Sequence, residues 1–476
     1  MASTITAPTY DPTSTATALA QKATAAGQQR IDNQTKTATA TTKALSTLSS
    51  AISAFQTSLS TLTGVGKSML ATSATLSDTT VGSASAKPNA ASGTYSLFVQ
   101  QLATAGQVSY NGLTDDSASA TGKLTITLSD ENGGASTGFD VDLGAASTDG
   151  NSTLSIREIA AAINKDADNA GRVSAGVVTV DGVQRLVLTS KNTGAANMIS
   201  MSATGITDAS GAASTTLSNQ LGSANRTIVT QAKDAMVYLG GKPGTGTLIQ
   251  QASNSFANID GVTVNVTRAQ SASENPFTVT VGSNGDGTVA NVQSFVNAYN
   301  ALKTAIDKLV DPGDPTNSVA AGAFAHDAGV KALQSSLVSL LRPASGATLA
   351  TYGITANRDG TLTLDSTRLA KQLEASPTGL DDLIGSSSTT APKGVAGSLN
   401  SYLNQWSSST SGQIKQRTEA NTKLQADVTK RQSDLDNQYN SAYDRFLKQF
   451  TDLQTLQSKM NSNVSLFDAL FGSDKS

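Results

Sequence analysis

The chain has 476 residues, a net charge of −3 and a pI near 5.3, so no basic field is available for nucleic acid or an anionic membrane surface. It contains no cysteine, which excludes disulfides, thiolate nucleophiles and zinc ribbons. No run of about 18 apolar residues occurs, so no helical membrane span is expected. Charged residues make up only 14% and aromatics 4%; the polarity comes from Ser, Thr, Asn, Gln and Gly, a balance that fits extracellular bacterial surface proteins better than cytosolic enzymes. Length alone allows roughly three domains of about 150 residues.

Met1 to Ala20 is rich in Ser, Thr and Ala and nearly uncharged. It lacks the basic and continuous apolar regions of a secretory signal, so the chain either stays in the cytoplasm or leaves by a route that reads no such signal. This segment is expected to be disordered. Residues 1–40 form a flexible N-terminal segment, helical only when docked, because Leu19 and Ile31 stand alone among Ala, Thr and Gln. A helix is predicted from about Thr39 to Leu62. Its Leu45, Leu48, Ile52, Phe55, Leu59 and Leu62 recur at spacings of 3 and 4, a single coiled-coil seam, and Gly64 to Gly66 stop it. This helix, 41–69, belongs to a helical domain.

From 70 to 287 the period changes to two. Tyr95–Val99, Lys123–Leu128, Phe139–Leu143, Arg172–Val180, Arg185–Leu188, Val262–Val266 and Phe277–Val281 read as strands. Asn111-Gly112, Asn132-Gly133, Asp181-Gly182, Asp260-Gly261 and Asn284-Gly285 read as turns, with Asp181-Gly182 the clearest hairpin. One helix, Thr153–Ile163, interrupts them. Two inserted β-rich domains are expected, one centred on 115–220. From Val289 the helical period returns, and 288–427 completes the helical domain. A long C-terminal helix begins near Gly412. Its last part, 428–476, carries a second seam: Val428, Leu435, Tyr439, Ala442, Phe446, Leu453, Leu456, Met460, Phe467 and Leu470. The expected fold is therefore α+β and multidomain, with terminal coiled-coil-like helices and a helical bundle domain into which β-rich domains are inserted.

Signals for catalysis fail on their own chemistry. Gly64-Val-Gly-Lys-Ser68 lacks the earlier glycine and preceding strand of a phosphate loop, since position 61 is Thr. Asn284–Gly287 and Asn357–Gly360 lack the alternating acids of an EF-hand loop and read as turns. His326 is the only histidine, with no nucleophile-elbow pattern in the chain. Asp381 and Asp382 are adjacent, so their carboxylates diverge, and a solvated helix face accounts for them. Trp406 sits at helix spacing with Leu399, Tyr402 and Leu403, which suits core packing. No cofactor, metal or catalytic residue is assigned.

What remains are two apolar seams. The first, Leu45 to Leu62, suits an internal bundle as well as an intermolecular contact. The second ends with Leu466, Phe467, Leu470 and Phe471 so close to the terminus that it would stay exposed unless it meets another chain. Oligomer or filament contact is therefore assigned to Leu45, Leu48, Ile52, Phe55, Leu59, Leu62, Leu435, Tyr439, Phe446, Leu453, Leu456, Met460, Phe467 and Leu470.

Several stretches resemble the bacterial flagellar filament cap, the hook-associated protein 2 family. The most specific is Tyr352-Gly-Ile-Thr-Ala-Asn-Arg-Asp-Gly-Thr-Leu-Thr-Leu-Asp365, with Leu369, Leu373 and Pro377. Ser294-Phe-Val-Asn-Ala-Tyr-Asn300 is similar to the family's Phe-Val-x-x-Tyr-Asn helix, and Gln231–Ala235, Phe256 and Asp260–Val264 to the strands before it. Leu154–Asn164, Arg185–Ser190 and Thr193-Gly194 resemble a β-rich module of hook and filament proteins; Tyr443–Phe450 and Lys459–Asn461 resemble the closing helix. Where many members carry a Gly-Leu-Asp opening, this chain has Tyr10-Asp-Pro-Thr13. The resemblance implies a non-enzymatic cap: a homo-oligomeric ring at the distal tip of an extracellular flagellum. It would be exported unfolded by the flagellar type III route, helped by a cytoplasmic export chaperone, and would promote folding and insertion of flagellin. A hook–filament junction protein and an adhesin using the β-rich domains are the alternatives.

Overall fold

The computed structural model describes residues 11–471 apart from 89, 115–117, 120, 131–135, 145, 149–152, 208–209 and 344–345. The chain divides into two compact units: Met1–Leu70 with Thr288–Ser476, and Ala71–Gly287. The turn predicted at Asn132-Gly133 lies outside the described residues, as do Met1 to Tyr10.

The helical unit is framed by two long helices, Pro12–Thr63 and Gln413–Phe471. The first begins abruptly because Asp11 caps it, accepting from the backbone N–H of Ser14 at 2.8 Å, while Pro12 occupies the first helical position, where no N–H is needed. It stops at Gly64, whose N–H donates to the Ser60 carbonyl at 2.9 Å. The two helices run antiparallel: Gln28 meets Gln432, and Thr42 meets Asn421 and Gln425.

The helix thus starts at Pro12 and not at Thr39; over the described part of 1–40, the segment expected to be helical only when docked is a helix lying against the closing helix. The reason is the surface it docks on. Ala16, Ala20, Ile31 and Ala38 are buried, and these small side chains let the backbones approach without giving a strong apolar rhythm. Gly27 is the closest approach, since a β-carbon there would come within 2.8 Å of Leu435 Cδ1.

Further along, the seam from Leu45 to Leu62 sinks into the unit's main core. Phe55 packs against Phe295 and Tyr299 with ring centroids 6.4 Å apart. The same core takes in the helices Gly285–Val310, Ala328–Leu340 and Gly394–Ser407. Each such large side chain contributes about 1.5–3 kcal/mol by leaving water.

The second unit leaves and re-enters on neighbouring strands: Ala71–Leu76 pairs antiparallel with Phe277–Asn284. These two, with Gly93–Gln101, Ala235–Leu239 and Thr247–Gln251, make a five-stranded sheet. A three-stranded sheet (Ser255–Ile259, Val262–Val266 and Gly82–Ala86) shares its core.

A second core is nested within this one in the sequence, between Val108 and Ala232. It joins a four-stranded sheet (Arg226–Thr230, Ala105–Tyr110, Val183–Thr193, Val173–Val180), a three-stranded sheet (Met198–Thr204, Lys123–Ser129, Thr137–Asp142) and the helix Ile156–Lys165. Its two ends are clamped together by Thr104 and Lys233, whose backbones exchange hydrogen bonds of 2.9 and 3.2 Å. Asp181-Gly182 forms the hairpin, with both residues at positive φ (52° and 80°), as the right-handed twist of the flanking strands favours.

The helix of the nested core opens on a capping box. Glu158 accepts from the N–H of Thr148 at 2.6 Å and of Ser155 at 2.9 Å, and from both hydroxyls. The two backbone donors lead in holding its carboxyl down at about 2, from an ordinary 4.5. A depressed carboxylate stabilises the fold fully above its unfolded pKa and loses that contribution as pH falls through the folded value. Thermal melts of the 71–287 unit are expected to fall between about pH 4.5 and 2, and Glu158→Gln to lower the neutral-pH stability by about 1 kcal/mol and flatten that slope.

Candidate assembly surface

The six N-terminal seam residues, Leu45, Leu48, Ile52, Phe55, Leu59 and Leu62, are all buried in the chain's own core. The contact assigned to them is therefore corrected: these side chains face their own unit, because helices more than 220 residues away in sequence cover them. The C-terminal seam behaves differently along its length. Val428 is buried, and Leu435, Tyr439, Ala442 and Phe446 are half-buried alongside the N-terminal helix. Tyr439 also stacks on Tyr443 at 6.4 Å.

Past that point Leu453, Leu456, Met460, Phe467 and Leu470 are 44%, 55%, 52%, 65% and 63% exposed, and Val464 and Leu466 add 43% and 59%. With 1.5 Å of rise per residue in both helices, the Gln28–Gln432 level puts Pro12 opposite about Lys448. The described part of the shorter helix ends where the exposed apolar stripe begins.

Polar groups fix how the pair meets. Gln28 and Gln432 exchange amide hydrogen bonds of 2.9 and 3.0 Å, each amide also donating to an acid one turn along, Asp32 and Asp436. Asn421 donates to the Ala38 carbonyl and to the Thr42 hydroxyl. Near the base, Gln56 donates to the side-chain carbonyls of Asn400 and Asn404. Arg417 grips Asp327 with two N–H groups while its guanidinium lies 5.4 Å from the Trp406 ring centre. Asp327 in turn caps the helix Ala328–Leu340 through the Val330 N–H. Burial alone would raise the Asp327 pKa, but Arg417 and the backbone donors outweigh it and hold the carboxyl below its usual range. His326, just before this cap, is exposed.

Asp381 is the residue sequence reasoning missed. It is no solvated surface acid: Ser68 donates its hydroxyl, and Met69 its N–H at 2.9 Å, to the Asp381 carboxylate. Asn291 donates to the Met69 carbonyl at 3.1 Å. The Gly64–Ser68 run, with Gly66 at a φ of 71°, is thus a helix stop fastened down from both sides. Only the spacing to Asp382, which forces the two carboxylates apart, hinted that one of them could face inward.

The two most specific sequence stretches meet in space. Asn300 donates to the Leu362 carbonyl at 2.8 Å and accepts from the Leu362 N–H at 2.7 Å. Ile354–Ala356 and Leu362–Leu364 form a hairpin whose turn is closed by Asn357, Asp359 and Gly360. Gly353 must be glycine, at a φ of 75° and with the Asp365 carbonyl against the place of a β-carbon. Asp365 then caps the helix Ser366–Ala375. Among the described residues no group of three or more His, Cys, Asp and Glu could hold a metal, and no helix is long and apolar enough to cross a membrane.

This geometry defines a class: a multidomain chain in which a β-rich unit is inserted in the sequence of a helical unit whose last helix ends in an exposed apolar stripe. Family models for the flagellar hook-associated protein 2 N-terminus and C-terminus match residues 9–106 and 232–462. The chain is similar to the lateral flagellar hook-associated protein 2 of Vibrio parahaemolyticus, at 32% identity over 81% of this chain and 82% of that protein. It is 30% identical to the B-type flagellar hook-associated protein 2 of Pseudomonas aeruginosa over 92% and 90%. The crystal structure of the D1-D2-D3 domains of the flagellar cap protein FliD from Escherichia coli aligns with a TM-score of 0.58, at 27% identity, over 79% of this chain and 99% of that one. The chain belongs to the flagellar hook-associated protein 2 family. The two family matches leave 107–231 between them, which is the nested core.

Because the two seams differ in burial, the same substitution separates them. Leu48→Ala is expected to cost about 2–5 kcal/mol of unfolding free energy, and Leu456→Ala within about 0.5 kcal/mol, by denaturant titration of the full chain. Asn300→Ala leaves the Leu362 backbone pair unmatched and is expected to cost about 1–3 kcal/mol. Tyr299→Phe removes a buried hydroxyl with no partner among the described residues and is expected to leave the midpoint unchanged or raise it.

Proposed function

We infer that this protein is a flagellar filament cap: a non-enzymatic subunit that sits as an oligomer at the distal tip of the extracellular filament and promotes the folding and insertion of exported flagellin. Membership of the hook-associated protein 2 family supports the reading, as does the likeness to the Escherichia coli cap protein over nearly all of that structure. The observation that carries it is the apolar stripe from Leu453 to Leu470, exposed at the end of a helix whose earlier turns are covered. A contiguous exposed apolar face of this kind marks a site of contact with another chain.

Flagellin at the filament end and neighbouring copies of the cap are its natural partners, and an export chaperone would cover the same stripe before secretion. Export through the flagellar type III channel requires an unfolded chain, and a chain without cysteine cannot be trapped by disulfides on the way. The polar, alanine-lined contact between the outer turns of the two long helices is weakly held compared with the leucine core below it. It therefore allows the terminal helices to attach and release as subunits are added.

Immunogold labelling with an antibody against residues 70–287 is expected to mark filament tips. Label at the filament base would make the protein a junction component, and label over the cell body an adhesin. Deleting the residues after 430 is expected to stop filament growth while the 71–287 unit keeps its melting transition; normal growth of the truncated strain would reject the role given to the terminal helix.

A further inference from the structure

The C-terminal seam keeps one heptad phase from Val428 to Leu470. Counting spacings of 3 and 4 gives 428, 432, 435, 439, 442, 446, 449, 453, 456, 460, 463, 467 and 470. Three amides fall in this series, Gln432, Gln449 and Asn463, and of these Asn463 alone lies within Leu453–Leu470. Gln432 lies where the chain supplies its own partner and is matched there by Gln28, amide to amide. Asn463 lies in the exposed stretch, level with no described part of the N-terminal helix.

We propose that the seam from Leu453 to Leu470 pairs in parallel with the same seam of a second copy of this chain, and that Asn463 fixes its register. The proposal rests on the ring required by the cap reading. Subunits of a cyclic ring are related by rotation about one axis, so their terminal helices point the same way, and helices that converge on that axis meet layer by layer. Asn463 then meets Asn463, and the two amides satisfy each other as Gln28 and Gln432 do.

An antiparallel pairing centred on this stretch would set Asn463 against Met460, burying an amide without a hydrogen bond, which costs about 1–3 kcal/mol each time. The flanks agree with a shared seam. Lys459 and Asp452 are the charges beside it, and in the parallel register they face Val464 and Gln457 of the neighbour, so no like charges collide. Exposed Val464 and Leu466 widen the apolar face beyond a two-stranded stripe, which suits contact with neighbours on both sides.

The absence of native cysteine makes the test direct. Full-length Asn463→Cys, Met460→Cys and Ser462→Cys proteins are exposed to oxidised glutathione, and chain-to-chain disulfides are followed on non-reducing gels. Position 462 lies off the seam. The parallel pairing predicts that Asn463→Cys cross-links at least roughly tenfold faster than Ser462→Cys, because the seam raises the local thiol concentration. Equal rates would overturn it. Faster cross-linking in a Met460→Cys and Asn463→Cys mixture than in Asn463→Cys alone would replace it with an antiparallel pair.

Asn463→Leu keeps the seam apolar and removes the pinning amide. It is expected to change the oligomer sizes seen by sedimentation equilibrium, and an unchanged distribution would overturn the register role. Tip labelling of filaments is read separately: labelled tips without preferential cross-linking would reject the pairing alone, and cross-linking without labelled tips would reject the cap reading.

Discussion

The structure depends on one antiparallel contact, between a helix that opens the chain and a helix that closes it. The Leu45–Leu62 seam cannot be covered by anything near it in sequence, since the next 217 residues, 71–287, fold as a unit of their own. Its cover comes from helices after 285, and the closing helix extends the same contact outward past Gly27 and Gln28. Every other feature follows from that closure. The inserted unit must leave and return at neighbouring points, which adjacent antiparallel strands achieve, and the stretch before it must be fixed, which Asp381 and Asn291 do at Ser68 and Met69.

Along that contact the chemistry grades from apolar to polar. At the base, Phe55, Phe295 and Tyr299 interlock and Leu, Ile and Val fill the space between helices. Above Thr42 the N-terminal helix offers mostly Ala, Gly, Thr and Gln. Small side chains bury little area, so dispersion and amide hydrogen bonds, each worth about 1 kcal/mol net, do most of the holding there. A leucine-rich base with a small-residue, amide-bonded upper part puts most of the buried apolar area at the base, which is the grading the proposed attach-and-release role relies on. Arg417, Asp327 and Trp406 stand at the border between the two regimes and pin the C-terminal helix before the weaker stretch begins.

Much of this was legible in the sequence, and the failures have physical causes. The α+β arrangement with an insertion was readable because Leu, Ile and Phe at spacings of 3 and 4 differ sharply from alternating Val and Thr. The helix from Pro12 to Thr39 was not, because alanine is a weak apolar signal and Thr a weak helix former; there the hydroxyls bond back to carbonyls one turn earlier, as Thr24 does to Ala20 and Thr35 to Ile31. Strands such as Ala71–Leu76 and Gly82–Ala86 escaped for the same reason, their side chains being Ala, Ser and Thr. At Gly82 the missing side chain is itself the requirement, since the Asn265 carbonyl occupies the place of a β-carbon. Asp381 was misread because its partners lie more than 300 positions away, and nothing local distinguishes it from Asp382.

Whether a seam is internal or external was the one question the heptad pattern could not answer, because both kinds use the same residues at the same spacing. Length decided it. The opening helix, from Pro12 to Thr63, has 52 residues and the closing one, from Gln413 to Phe471, has 59, and they are offset so that the surplus falls at the C-terminal end. The phase of the apolar positions does not break near Lys448, the level of Pro12, where the described part of the opening helix ends. A sequence selected only for its own fold would have no reason to continue that phase through Leu453, Leu456 and Met460 into solvent, where each apolar side chain favours aggregation. The continued phase carries the apolar stripe past the level of the described opening helix, and that is the feature the proposed pairing uses.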